Sequence, residues 1–331
     1  NSIIVHYDET ALARWMEQAV SAAGVVPLLG AVLREVAVEG RRLTRLRLAT
    51  RHGDVEVAAR GFVDASGDAV LAWLAGLEVR EPAVPVFGTM MFTLEGVDEQ
   101  APAGTREQIH ARLREKGADY GLARQDGFLF SFPGRDLCLV NMTHLPTPLD
   151  PVAMSRAVLE GRAQVDRLVA FLHEQFPERL GRARVRSYGQ PGVRQTRWIV
   201  GAHSLGVEEV RAGTRFPDAV ARCSWPIEGH QDESSSHWEE FGDDHMHYVP
   251  LASMLPPGAD NLVAAGRCID GDVGALSSVR VMGPCIAMGA AAVHALDLAG
   301  AGSVHGIDFG VLRGRIADNL ERRDPGPTPE A

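Results

Sequence analysis

The chain has 331 residues, 45% of them hydrophobic and 23% charged, with a formal net charge of -10. Such a composition belongs to ordinary globular material, long enough for two domains, and lies far from the disordered and fibrous classes. An acidic balance with arginines scattered among acids argues against a nucleic-acid partner or an anionic membrane surface, since either favours a basic patch.

In chain order, residue 1 is Asn, and Ser2 to Asp8 reads like the middle of a domain, so the expectation is a fragment or one chain of a split enzyme. His6-Tyr7-Asp8 reads as a helix start. Asp8 is the expected N-cap of a helix over Glu9 to Ala23, with Leu12, Trp15, Met16, Val20 and Ala23 at helical spacing. Val25 to Leu29 reads as a strand. From Ala31 to Val63, short alternating runs punctuated by Glu39-Gly40 and His52-Gly53 predict a three-stranded antiparallel meander. Gly61 to Ala65 then reads as a strand and Ala69 to Gly76 as a buried helix.

Pro82, Pro85 and the strand-like Val86 to Leu94 mark a change of domain. The next segment includes a long helix from Pro151 to Gln175, and the chain returns to the first domain near Pro250. A strand at Asn261 to Ala265 and helices at Pro284 to Ala299 and Phe309 to Arg322 follow, before a Pro-rich polar tail. Val281 to Gly300 is the longest apolar stretch. It holds His294 and Asp297 and many Ala and Gly, which suits a packed core helix better than a membrane span. Cys138, Cys223, Cys268 and Cys285 form no C-x-x-C pair and no zinc spacing, which points to buried thiols in a reducing, cytoplasmic setting.

Two stretches nearly two hundred residues apart read alike. Gly61-Phe62-Val63-Asp64-Ala65-Ser66-Gly67-Asp68 and Asn261-Leu262-Val263-Ala264-Ala265-Gly266-Arg267 each carry an apolar strand into a tight glycine turn. Ligands of open parallel sheets sit beyond the carboxyl ends of the strands, so the two turns are expected to form opposite walls of one nucleotide crevice. For Asp68 the alternatives are a ribose contact, a water bridge to phosphate, or an N-cap on the following helix. Ser277, Ser278 and Arg280 precede a Gly- and Ala-rich helix whose positive amino end suits a diphosphate, with Gly289, Ala290, Ala291 and Ala292 allowing tight packing.

Together with Val193-Arg194-Gln195-Thr196-Arg197, Phe216-Pro217-Asp218 and Arg280-Val281-Met282-Gly283-Pro284-Cys285, these turns resemble the FAD-dependent oxidoreductases of the glutathione-reductase-like flavoprotein group, in order from about Val5 to about Ala295. The resemblance implies an α/β fold: a Rossmann-like, parallel-sheet FAD-binding domain with an inserted α+β substrate domain. Residues 1–85 and 250–300 would form the FAD domain, 86–249 the substrate or cap domain, and 301–331 a C-terminal helix and tail. It implies FAD as cofactor, held by Asp64, Ala65, Ser66, Gly67, Asp68, Gly266, Arg267, Ser278, Arg280, Val281 and Met282. The family's opening G-x-G-x-x-G turn, which holds the ADP half of FAD, is missing; Gly300-Ala301-Gly302-Ser303-Val304-His305-Gly306 is one residue too long and follows a helix. A second chain or a missing N-terminal segment would have to supply it, leaving the parallel sheet without its first βαβ.

Arg194 and Arg197, with Arg184 and Arg186 upstream, suit either a bidentate carboxylate clamp or structural ion pairs. The resemblance places Arg197 and Arg194 near the flavin, against a small organic substrate that the arginines suggest is anionic. Glu228, His230, Asp232, His237, Asp243, Asp244, His245 and His247 crowd twenty residues, and an exposed polar loop is the plainer account. The resembled pattern carries Asp-x-His where this chain has Glu228-Gly229-His230, which makes His230 the general acid or base. The implied activity is hydride transfer between flavin and substrate. The alternatives are a non-catalytic chain that needs a partner for FAD, or a metal-dependent hydrolase built on the His-rich loop, with His245 and His247 on one face of a strand.

Overall fold

Two three-residue strands separated by two hundred residues of chain, Phe62–Asp64 and Leu262–Ala264, pair in parallel in the computed structural model. Their register is Phe62 to Leu262, Val63 to Val263 and Asp64 to Ala264. The flanking bonds, Phe62 N to Asn261 O at 2.9 Å and Ala265 N to Asp64 O at 3.0 Å, extend the ladder at both ends. All three residues of the second strand are buried, the run of apolar positions expected of a strand covered on both faces.

The structure describes residues 7–101 and 104–321. It forms two compact units. The first comprises Asn1–Arg80, Trp198–Trp225 and Glu240–Ala331, and the second Glu81–Arg197 with Pro226–Glu239. The substrate domain expected over 86–249 is thus differently bounded, because 198–225 and 240–249 pack with the first unit. One reason is backbone pairing: Trp198–Ile199 pairs with Val79–Arg80, and Ala219–Cys223 with His247–Pro250.

In the first unit the expected meander forms from Val32–Glu39, Arg42–Thr50 and Gly53–Ala58, all antiparallel. Asn261 ties it to the parallel strands. Its buried side chain accepts from Leu43 N at 2.9 Å and donates to Leu43 O at 2.8 Å and Arg60 O at 2.9 Å, so the amide is satisfied on both sides. The helix Met282–Ala299 packs on both parallel strands and on Ala219–Cys223. Pro284, Met288, Ala291, Ala292 and Ala295 form its buried stripe, so only two of the four small residues expected at the contact, Ala291 and Ala292, are fully buried. The close approach falls at Gly61 instead, where a Cβ would lie 2.8 Å from Leu296 Cδ2. The helix is long and apolar enough to cross a membrane, at mean hydropathy 1.4, and 28% of it is buried.

Three expectations for this unit are corrected. Val25 to Leu29 forms no strand; Pro27 lacks an N–H, and no strand among the described residues pairs with the segment. Ser277 and Ser278, expected only to precede the Gly- and Ala-rich helix, lie inside a helix of their own, Val273–Val279, with Arg280 at its C-cap. The last helix is broken into Phe309–Arg315 and Ala317–Leu320. The helix Glu9–Ala22 does form, with Asp8 accepting from Thr10 N and Ala11 N, but none of its residues is buried. His6, Arg322 and the Pro-rich tail lie outside the described residues.

The second unit is α+β. A four-stranded antiparallel sheet runs in the order Phe128–Phe132, Leu137–Asn141, Thr89–Glu95, Arg184–Gly192. The helix Pro151–Gln175, with the sequence-expected bounds, starts at the Asp150 N-cap with Pro at its first position. Its buried Ala157, Gly161, Val165, Leu168, Phe171 and Leu172 repeat at helical spacing. Val165, Leu168, Phe171 and Leu172 share one core with Met90, Phe92, Leu94 and Val140 of the sheet. Gly161 is in that stripe because a Cβ there would come within 3.1 Å of Met90 Cε.

Candidate functional site

The parallel register brings the two glycine turns to the same end of adjacent strands, side by side rather than on opposite walls. Gly67 has φ +81° and Gly266 φ +68°, a left-handed backbone that glycine adopts without strain. The first turn is built around Asp64, which is almost fully buried. Its Oδ1 accepts from Ser66 N at 3.1 Å and Ser66 Oγ at 2.6 Å, and its Oδ2 from Leu71 N at 2.9 Å and Ala72 N at 3.1 Å. Asp64, not Asp68, therefore caps the helix Val70–Leu74, whose N-cap residue Ala69 offers no side-chain bond. Asp64→Ala is expected to lower the unfolding free energy by about 2–4 kcal/mol in urea melts, since it removes a cap and several bonds to a charged acceptor together.

Cys268 completes the turn. Its sulfur accepts from Gly67 N at 3.1 Å and Ala69 N at 3.4 Å, and burial followed by the Asp64 charge pushes its thiol up to about 12. It is a protonated packing group and not a nucleophile. Nothing in the sequence distinguishes it from the other cysteines, since its role depends on the fold placing it under a turn two hundred residues away. Cys138, Cys223 and Cys285 are also free, with thiols raised to about 11 by burial.

Arg267 lies across the first turn from the second strand. A Cβ on Gly67 would fall 2.7 Å from Arg267 Cζ, so the absent side chain at 67 leaves room for the guanidinium. Arg267 Nη1 is buried without a hydrogen-bond acceptor, with Asp68 Oδ1 3.7 Å away. Beside it begins the helix Met282–Ala299, whose N-cap Val281 supplies no side-chain bond. Cys285, in its first turns, comes close to Gly266 and feels the Arg267 charge. Met282 is exposed and Ser278 is buried. Ser278 Oγ donates to Trp225 O at 2.6 Å and meets His247 Nε2 at 2.9 Å, so its hydroxyl is spent on the fold. Ala65 and Ser66 are exposed at the mouth of the turn. An unaccepted guanidinium N–H, two glycine turns and an uncapped helix amino end in one place are the donor set an anionic diphosphate needs.

The second unit holds a separate buried polar cluster. His230, after the strand Ile227–Gly229, places Nε2 2.7 Å from Glu228 Oε1 and Nδ1 3.1 Å from His144 Nε2. His144 Nδ1 lies 2.9 Å from Glu233 O, and its ring stacks on Phe87. Phe87 O accepts from Arg194 Nη1 at 2.9 Å. Burial, then the charge of Arg124, lowers His144 to about 3. Arg124 is itself buried, bound to Asp126 at 2.6 Å and to Thr143 O at 2.9 Å. Asp126 lies well below the usual range at about 2; burial opposes that shift, and Arg124 with the Ser236 donors overcomes it. Arg197 is buried, its Nε 3.7 Å from Glu81 Oε1. Arg184 and Arg186 both pair with Glu95 on the exposed sheet surface, which answers their case as ordinary ion pairs. His144 carried no sequence signal because it is isolated in the chain, and Arg124 with Asp126, two residues apart, reads as an ordinary local ion pair whose link to His144 only the fold supplies.

The His-rich stretch divides. Asp232 accepts from Ser234 in an exposed turn, and His237 is exposed. His245 and His247 bond to one another, Nε2 to Nδ1 at 3.2 Å, instead of facing a common ligand. Among the described residues no group of three or more His, Cys, Asp or Glu is placed to hold a metal ion.

Compared with known families, residues 2–316 match the model of the FAD dependent oxidoreductases. The chain belongs to that family. FAD is accordingly its cofactor, and the donor set around Arg267 fits the group. No curated protein matches the sequence. Among solved structures, the chain is similar to the myxobacterial chondrochloren halogenase CndH, at 12% identity and a TM-score of 0.43, over 95% of this chain and 56% of that one. It is also similar to the anhydrotetracycline hydroxylase OxyS from Streptomyces rimosus, at 12% identity and a TM-score of 0.41, over 96% and 47%. A geranylgeranyl bacteriochlorophyll reductase-like protein from Thermoplasma acidophilum matches at 12% identity and a TM-score of 0.41, over 87% and 52%. The chain spans about half the length of such structures, 60% of the flavin-dependent brominase Bmp2 triple mutant and 39% of AlpK.

Proposed function

We propose that this FAD-dependent oxidoreductase oxidises or reduces a small organic substrate by hydride transfer. In this reading the Gly67 and Gly266 turns, Arg267 and the amino end of the helix Met282–Ala299 hold the diphosphate and its neighbouring atoms. Asp64, Ser66 and Cys268 fix the first turn, while Ala65, Asp68, Ser278, Arg280 and Val281 shape the surroundings. The observation that carries the reading is the buried Arg267 Nη1 without an acceptor beside two left-handed glycine turns. Bound FAD supplies the electron chemistry, and the chain supplies position, charge and proton-handling groups.

The sequence of the 331 residues has no G-x-G-x-x-G turn. Its supply by a second chain or a further segment is part of the proposal. Flavin titration with fluorescence detection tests the site: Arg267→Ala is expected to weaken FAD binding by about tenfold or more, the value of one charge-assisted contact. Unchanged affinity would remove the diphosphate from this place.

Arg194, Arg197 and His230 are assigned to the substrate, which two arginines suit if it is a carboxylate. Arg197→Lys is expected to lower turnover by about tenfold or more at wild-type flavin content, because an ammonium cannot copy the planar fork. Equal losses of flavin and turnover would make Arg197 structural.

A further inference from the structure

The contacts from Glu233 O through His144 and His230 to Glu228 set a proton count. Three short gaps join them: Glu233 O to His144 Nδ1 at 2.9 Å, His144 Nε2 to His230 Nδ1 at 3.1 Å, and His230 Nε2 to Glu228 Oε1 at 2.7 Å. Each gap needs one hydrogen, and the carbonyl and carboxylate oxygens at the two ends can only accept when Glu228 is ionised. Two neutral imidazoles carry two hydrogens. Three gaps need three.

The chain His245, His247, Ser278 is the internal contrast. There Ser278 donates to Trp225 O, His247 Nε2–H donates to Ser278 Oγ, and His245 Nε2–H donates to His247 Nδ1. Every gap is filled with both rings neutral.

We propose that His144, His230 and Glu228 form a buried proton store, in which His230 is an imidazolium at neutral pH, held between the Glu228 carboxylate and the bare Nε2 of His144. His144 is a positioning residue, its Nδ1–H fixed on the Glu233 carbonyl so that Nε2 must accept. Its assignment as the neutral ring agrees with burial and the Arg124 charge, which hold it uncharged to about pH 3. The other charged groups facing His144 are Arg194, which also disfavours a second positive ring, and Asp232, an acid on the other side.

The outlet is Glu228, whose side chain is 19% exposed while that of His230 is fully buried. Discharge moves the proton from His230 Nε2 to Glu228 Oε1 and on to a basic oxygen or carbon that meets Glu228. It leaves two neutral rings and a carboxylate, and no electron moves. With two hydrogens left for three gaps, one contact must then open. The count rests on these three contacts alone, so it stands or falls separately from the flavin assignment.

Nitrogen-15 NMR of histidine-labelled protein at pH 7 tests it, with ring signals assigned through His144→Gln and His230→Gln. The expected result is one ring, missing from the His230→Gln spectrum, with both nitrogens protonated, and a second ring carrying hydrogen on Nδ1 alone. In Glu228→Gln the amide can turn its NH2 to His230 Nε2 and fill that gap, so the His230 ring is expected to become neutral in a protein whose thermal melt stays cooperative. A wild-type His230 with a single ring proton at pH 7 would overturn the proposal, and so would a His230 that stays doubly protonated in Glu228→Gln.

Discussion

Gly67→Val is expected to yield a folded protein that retains less than about a tenth of the wild-type flavin affinity. Two effects act together. A β-branched residue at φ +81° costs on the order of 1–3 kcal/mol of backbone strain. The new Cβ would also sit within contact distance of the Arg267 guanidinium and force it off the turn. The loss of affinity should therefore resemble that of Arg267→Ala, and combining the two changes should add little, as expected of residues that share one contact. Gly266→Val makes a useful partner experiment. There a Cβ would lie 3.6 Å from Cys285 Sγ, an ordinary contact, so strain at φ +68° is the main cost and a smaller loss is expected. Flavin retained at wild-type affinity in Gly67→Val would place the cofactor elsewhere.

Acid should destabilise this protein well above the carboxylate range. Burial is the first cause holding His144 at about 3 and His247 at about 4, whereas both rings take up protons near 6.5 once unfolded. Between those values the unfolded chain binds more protons than the folded one, so stability is fully present above about pH 6.5 and is lost as pH falls towards 4. The loss should reach on the order of 3 kcal/mol per ring by pH 4 if both stay neutral in the fold. Asp126 adds a second stage: its depressed value of about 2 contributes stability present above its usual 3.8 and lost below it. Hydrogen bonding gives the first stage a specific cause, because a further proton on His144 Nε2 would face the N–H of a charged His230 with no lone pair between them. Urea midpoints measured from pH 7 to pH 4 check this, and His247→Gln should flatten part of the slope. A midpoint independent of pH over that range would mean the rings are hydrated.

What the sequence disclosed was mostly local. The meander, the Asp8 cap and the bounds of Pro151–Gln175 follow from alternation, capping residues and helical spacing, all written within a few residues of the element they shape. Val25 to Leu29 misled because a strand is decided by its partner rather than by its own apolar residues, and Pro27 weakens any ladder. An N-cap on Val70–Leu74 was one of three alternatives for Asp68, chosen by proximity, whereas the buried Asp64 reaches that helix from the preceding strand. The glycine turns were legible, and so was the family match that FAD follows from. Cys268 and His144 were not, since each matters only through a residue far away in the chain, and the local pair Arg124–Asp126 gains its place only through Thr143 and Ser236. Glu228 had looked like a departure from the expected Asp beside His230, yet it makes the 2.7 Å contact itself.

The parallel pair Phe62–Asp64 and Leu262–Ala264 also sets a timetable for biosynthesis. A ribosome adding roughly 5–20 residues per second needs about 10–40 s to travel from the first strand to the second. Throughout that interval Asp64 and its turn exist without the strand that bonds to them, without Cys268 beneath Gly67 and without Arg267 above it. The antiparallel sheet of the second unit, whose strands are all contained within Thr89–Gly192, can close while synthesis continues. If flavin binds at the proposed place, its capture is a late event, and nascent chains halted before residue 262 should carry the closed antiparallel sheet and no cofactor.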